Sequence, residues 1–305
     1  MSRSVLMLLI LFAVLPLFFV PLNQDPMGPF AQLNIFGHFV FFALLAWVLT
    51  RLPAVAGLSI FRQIALVIVA VTILGGSVEL IQEYFGRTAS WKDFGVNLTG
   101  ALFGLLFLAP GRIRLPWIML RAGQVMVLAL CLFLFSNPVI TLWDMRQASR
   151  QFPVLGDFET RLETRRWSSG KIDQEFARHG QASLKVPLET GRKYTGTTML
   201  RSFGDWTGYT FLGFSIHNPD LDPLFLTVSI RDHEHFHRGG EYNDRFNRSF
   251  RIDQGWNDIR VPIQDIENAP AERTLELDSL SELIFFTTEL DQPRIIHLDH
   301  VRLIP

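Results

Sequence analysis

Hydrophobic positions follow two unlike patterns along the chain. Up to about residue 140 they come in long, nearly continuous runs, and from Phe158 onward they alternate with polar residues. A helix rises about 1.5 Å per residue, so crossing roughly 30 Å of hydrocarbon takes about 20 mainly apolar residues. Five stretches meet or approach that length: 4–22, 34–50, 63–83, 94–109 and 117–136. They predict an α-helical transmembrane bundle of about five helices, the fourth being the shortest. The first stretch follows Arg3 as a signal peptide would. Its flank, Val20-Pro21-Leu22-Asn23-Gln24, has no small-x-small cleavage pattern, so it reads as a retained helix.

In the second half, Leu224, Leu226, Val228 and Ile230 fall on one side of a strand and Phe225, Thr227, Ser229 and Arg231 on the other. Similar short runs occur at 183–188, 211–217, 248–252, 257–263, 282–288 and 294–304, separated by turn residues such as Asn218-Pro219-Asp220 and Gln254-Gly255. Several short strands without a convincing amphipathic helix predict an all-β antiparallel sandwich of jelly-roll type. The expected domains are a membrane half over 1–140, a polar connector over 141–156 and a sandwich over 157–305.

Composition changes this picture little. Across 305 residues the formal net charge is −1, which argues against a nucleic-acid partner. Cys131 is the one cysteine, so no intrachain disulfide supports the sandwich. The placement of charge says more. Arg3, Arg51, Arg62, Arg112 and Arg114 lie at ends that the positive-inside rule assigns to the cytoplasm. Five crossings then leave the N-terminus inside and the sandwich outside.

Polar residues in the membrane half gather at one depth. His38 opens the second span, Glu79 and Gln82 close the third, Arg87 lies in the next loop, and Asp93 and Asn97 open the fourth. Each ionisable group costs about 2.5–3.5 kcal/mol at a helix centre, so the set reads as a ligand-binding cluster at the outer mouth of the bundle. Gly100 and Gly104 form a GxxxG pair suited to close helix packing. The structural alternative gives Asp93 a helix-capping role and pairs Glu79 with Arg87.

The run Gly37-His38-Phe39-Val40-Phe41-Phe42, the Glu79-x-x-Gln82 pair with Arg87, and Asp93-x-x-x-Asn97-x-x-Gly100 resemble the VanZ-like membrane family over roughly residues 5–110. Asn34-Ile35 stand where members often carry Asp-Lys. The resemblance implies a bacterial envelope protein of the cytoplasmic membrane, and the family's name comes from glycopeptide resistance.

From Asp157-Phe158-Glu159 and Trp167, through Gly180-Gln181-Ala182-Ser183-Leu184, Asp205-Trp206-Thr207-Gly208-Tyr209, Asp244-Arg245-Phe246 and Gly255-Trp256-Asn257, to Leu298-Asp299-His300-Val301-Arg302, the second half resembles galactose-binding-like jelly rolls of the carbohydrate-binding-module type. That resemblance implies a structural calcium held by Glu159 and Asp299. No other cofactor is required. Flat aromatic faces suited to sugar are offered by Trp206, Tyr209 and Tyr242, while Trp256 reads as core. His233, His235 and His237 alternate, so an extended strand would turn all three imidazoles to one face as metal ligands; Gly239-Gly240 after them favours a solvated loop.

Three function classes fit. The first is a non-enzymatic membrane protein that binds a cell-envelope glycan or lipid-linked precursor at the outer face of the bilayer. The second is an intramembrane hydrolase or transferase, with His38 and Glu79 as base and acid, Arg87 as phosphate clamp and Asp93 orienting His38. The third is a scaffold.

Overall fold

The computed structural model describes residues 3–14, 29–84, 90–200 and 204–305. It divides into a helical unit, Met1–Trp143, and a β unit, Asp144–Pro305. The helices are α1 (Arg3–Val14), α2 (Pro29–Leu49), α3 (Pro53–Ala56), α4 (Ile60–Tyr84), α5 (Trp91–Phe103) and α6 (Trp117–Gln151). A π-helical turn, Gly104–Leu108, extends α5 before a 3-10 turn at Pro110–Arg114.

Phe42, Leu45 and Ala46 of α2 pack with Val67 and Val71 of α4 and Ala101 of α5 into one apolar core. The GxxxG pair does what its spacing predicts. A Cβ on Gly100 would strike the Phe39 carbonyl, and one on Gly104 the Ala43 carbonyl, so α5 lies with its backbone against α2.

Among the described residues, three helical stretches are long and apolar enough to cross a membrane: Gln32–Leu49, Ile60–Gln82 and Trp117–Gln151. The expected first span lies partly outside the described residues. The fourth is an α-helix of 13 residues with a five-residue π turn, and 13 residues rise only about 20 Å. Apolar side chains stay exposed on these helices, among them Ile73 (65%), Leu132 (76%) and Phe133 (77%). Contiguous exposed apolar surface of this kind marks a membrane or protein contact face.

The polar connector expected over 141–156 is helical as far as Gln151. Residues 141–151 contain neither glycine nor proline, and the helix stops just before Pro153, which disfavours helical backbone at the residue before it.

Among the described residues, the β unit has ten strands: β1 (Val154–Gly156), β2 (Lys171–Asp173), β3 (Ser183–Leu188), β4 (Tyr194–Met199), β5 (Phe211–Asn218), β6 (Leu224–Asp232), β7 (Phe246–Ile252), β8 (Gly255–Pro262), β9 (Leu280–Thr288) and β10 (Arg294–Ile304). One sheet runs β2-β3-β10-β5-β8 with β1 added on β10, and the other runs β4-β9-β6-β7. Each of these neighbouring strand pairs is antiparallel. From β3 to β10 the chain changes sheet at every step except β6 to β7, the repeated crossing of a jelly roll.

Inward positions of both sheets interdigitate. Leu184, Leu212, Phe214, Ile216 and Leu298 face Leu226, Val228, Ile230, Leu283 and Phe285 in a single core. Two helices of five residues, α7 (His233–His237) and α8 (Ile263–Glu267), occupy turns.

Candidate functional site

The four-stranded sheet has one face in the core, and the strand period fixes what the other presents. Register places Phe286 of β9 opposite Gly196 of β4 on one side and Thr227 of β6 on the other, and Thr227 opposite Ser249 of β7. The next pair places Tyr194 beside Thr288. Because Gly196 carries no side chain, the Phe286 ring is left uncovered on that flank. Tyr194 meets Phe286 edge to face at 5.4 Å.

Polar groups stand between the rings. The Thr227 and Ser249 hydroxyls lie 2.7 Å apart. In the amide orientation that satisfies its neighbours, Asn247 accepts from Arg245 Nε at 2.9 Å and donates to Ser229 Oγ at 2.9 Å. Arg245 stacks on Tyr242, its guanidinium carbon 5.1 Å from the ring centroid. Burial, and then Arg231, lower the Arg245 pKa. Tyr194, Tyr242 and Phe286, with Arg245, Thr227 and Ser249, line a depression of about 260 Å³. That is below the roughly 300–1,000 Å³ of drug-like pockets, and fits a chain lying across a sheet better than a molecule swallowed whole.

Tyr242 comes from the loop after α7, and a dense ionic network holds that loop. Arg273 binds Asp232 through Nη1 and Nη2, and Asp244 through Nε (2.6 Å) and Nη2 (2.8 Å). Asp232 also accepts from the His235 backbone N–H at 2.9 Å, capping α7, and from Glu276 N–H at 3.0 Å. Burial works to raise the Asp232 pKa, but Arg273 and the two N–H groups more than reverse it, and the net shift is downward. Arg273 likewise lowers that of Asp244.

The sequence candidates distribute as follows. Tyr242 is 66% exposed and belongs to the depression, whereas Trp206 is fully buried and serves the core. Tyr209 is half-buried, edge-on to Phe152 at 5.7 Å, and packs against the core. Trp256 is half-buried against His217 at 5.2 Å.

The three alternating histidines do not lie on an extended strand. They fold into α7, where a two-residue step turns a side chain by about 200°, so His233 and His237 are exposed and His235 is buried. His235 Nδ1 lies 3.0 Å from the Asp244 carbonyl.

Glu159 accepts from Gln181 N–H (2.8 Å) and Ala182 N–H (3.2 Å). Buried Asp299 accepts from Arg178 N–H (2.7 Å), His179 N–H (2.9 Å) and His300 N–H (2.6 Å). Both carboxylates thus accept from backbone N–H groups of other segments or of the next residue.

In the helical unit His38 Nδ1 lies 2.8 Å from Asn97 Oδ1, joining α2 to α5. Glu79 Oε2 accepts from Ser90 N–H at 2.9 Å. Ser90 caps α5 by accepting from Asp93 N–H at 3.3 Å, which places Asp93 in the first turn as the helix dipole favours. Gln82 is buried. Arg87 lies outside the described residues. Of the expected cluster, then, His38 and Asn97 meet directly, while Glu79 and Asp93 both converge on Ser90.

No family model matches the chain, and no curated protein matches it. Solved structures do. An exo-β-agarase is 15% identical, with a TM-score of 0.41, over 50% of this chain and 24% of its own. The chain therefore spans about a quarter of that enzyme's length. A family 11 carbohydrate-binding module from Clostridium thermocellum, in complex with a β-1,3-1,4-mixed-linked tetrasaccharide, is 19% identical with a TM-score of 0.38, over 50% of this chain and 94% of its own. A family 28 module specific for non-crystalline cellulose is 11% identical with a TM-score of 0.36, over 49% and 92%. These likenesses fall on the C-terminal sandwich.

Several residues of the depression give little sequence signal. Tyr194 and Phe286 share a face only because β4 pairs with β9, and the Thr-rich run Tyr194-Thr195-Gly196-Thr197-Thr198 was the only local hint of that strand.

Proposed function

We propose that this is a membrane-anchored glycan-binding protein of the bacterial envelope. The observation that carries the reading is the outer face of the four-stranded sheet, where Tyr194, Phe286 and Tyr242 surround hydroxyl, amide and guanidinium groups. An aromatic face carries negative charge density, which suits the polarised C–H edges of a pyranose ring, while Arg245, Asn247 and the Thr227–Ser249 pair offer hydrogen bonds to its hydroxyls. Helices α2, α4 and α6 supply the membrane anchor. With the first apolar stretch and α5 plus its π turn completing five crossings, the arginines at 3, 51, 62, 112 and 114 favour a cytoplasmic N-terminus, with the sandwich outside the cytoplasmic membrane among wall glycans or lipid-linked precursors.

The test is a glycan array, followed by calorimetry, with the full chain in detergent micelles or nanodiscs. Tyr194→Ala and Tyr242→Ala should each weaken the retained glycan about 5–30-fold, as truncating an aromatic contact by 1–2 kcal/mol does. Retention of no glycan, or an affinity indifferent to both substitutions, would refute the reading.

A further inference from the structure

Away from the four-stranded face, the described residues bring one triad of potential metal ligands together. The ligand atoms of Asp157, His179 and His300 all lie within 4.8 Å of one another. They come from three separate segments: Asp157 directly follows β1, His179 lies between β2 and β3, and His300 sits where β10 breaks register between Asp299 and Arg302. Asp157 Oδ1 is 2.9 Å from His179 Nδ1, and the His179 and His300 rings stack with centroids 4.1 Å apart.

This grouping is held from beneath. The buried Asp299 carboxylate accepts the backbone N–H groups of both His179 and His300, so one anchor sets the two histidine backbones. Gly180, at φ +66°, makes the turn after His179, and a side chain there would strike Glu159. His300 itself adopts φ 51°, a left-handed conformation that a bulky side chain rarely takes. The His179–Asp157 ion pair explains two of the three residues. It does not explain why a third imidazole is kept against them in a strained backbone, and such outliers collect at ligand clamps.

We propose that Asp157, His179 and His300 form a binding site for zinc or a similar first-row divalent transition metal. Two imidazole nitrogens and one carboxylate oxygen are borderline donors of the kind these ions prefer, leaving a fourth position for water. A tetrahedral site with bonds of about 2.0–2.1 Å puts its donors roughly 3.3 Å apart, so closure from 4.8 Å asks for a modest swing. The His179 side chain is 53% exposed and free to make it. The bound ion ties the segment after β1, the loop before β3 and the closing strand into one unit. This inference is independent of the glycan reading.

The test uses the full chain in detergent, stripped with EDTA and titrated with ZnCl2, CoCl2 or CaCl2. Zinc at a hundredfold excess over its dissociation constant should raise the melting temperature of the β unit by about 5–10 °C, and cobalt should give visible d–d absorption. His179→Ala and His300→Asn, the latter chosen because Asn tolerates a left-handed backbone, should each weaken zinc binding at least about tenfold while leaving the metal-free melting temperature in place. His233→Ala/His237→Ala should bind as the parent does. The proposal is overturned if zinc has no effect, if binding survives in the His179/His300 variants, if it is lost with His233 and His237, or if calcium alone stabilises the chain, which would point to the oxygen donors of Glu159 and Asp299.

Discussion

Arg273 offers the sharpest test of how the loop that carries Tyr242 is held. Its guanidinium binds Asp232, whose side chain is 0% exposed, and Asp244, 12% exposed, in two forked ion pairs. Replacing it with Met keeps the length of the side chain but leaves two carboxylates facing each other without a cation. Breaking a buried pair in this way costs about 3–5 kcal/mol, because the remaining charge keeps its desolvation penalty. For a domain of 150–250 residues that is a fall of about 6–20 °C in melting temperature.

The pH dependence should also reverse. In the parent, both carboxylates have lowered pKa values, so they contribute stability at and above the ordinary Asp range, and this is lost as pH falls through their folded values. Without Arg273, only the His235 and Glu276 N–H groups oppose the burial of Asp232, and its pKa rises. Lowering the pH from 7 towards 5 should then stabilise Arg273→Met, by protonating the orphaned acid. Thermal melts of the full chain in detergent across that range, followed by near-UV circular dichroism, read both effects. A loss under about 1 kcal/mol, or a parent-like pH slope, would refute the account of the network.

Other expectations follow from single contacts. Trp206→Ala should cost about 3–5 kcal/mol of β-unit stability, whereas Tyr242→Ala should stay within about 0.5 kcal/mol; similar melting temperatures for the two would contradict their assigned places in core and surface. Gly104→Leu should destabilise the helical unit by about 1–3 kcal/mol in detergent, since its side chain would meet the Ala43 carbonyl, and an unchanged melt would mean that α2 and α5 do not approach so closely. His217 and His297 both have pKa values lowered mainly by burial, with Asp173 and Glu175 opposing that at His297 and Lys185 adding to it. A lowered imidazole pKa favours the neutral ring in the fold, so this stability is complete above about pH 6.5 and declines below it. Melts from pH 8 to 5.5 should show that decline, and His297→Gln should flatten it.

What was legible in the chain was whatever depends on local spacing. The long apolar runs specified α2, α4 and α6 because a helix satisfies its own backbone and needs only length and hydropathy to suit a membrane. The GxxxG spacing foretold a close approach of α5 to some neighbour, since Gly100 and Gly104 must share a face at a four-residue step, while the structure supplied α2 as that neighbour. Alternation marked β3, β5, β6, β9 and β10 within about two residues of their ends, because the pleat reverses a side chain at every step.

Contacts between distant segments followed no such rule. Alternation set His233, His235 and His237 on one face only if the backbone stayed extended; the Asp232 cap and the Arg273 network instead wound them into α7. Trp206 looked like a sugar platform because an aromatic near a turn reads alike whether the fold covers it or not, and only the packing of two sheets buried it. Tyr194 met Phe286, and Asp157 met His179 and His300, across gaps of roughly 20 to 140 residues. Strand order and register decide such meetings, and these are properties of the sheet as a whole, which no window of local sequence contains.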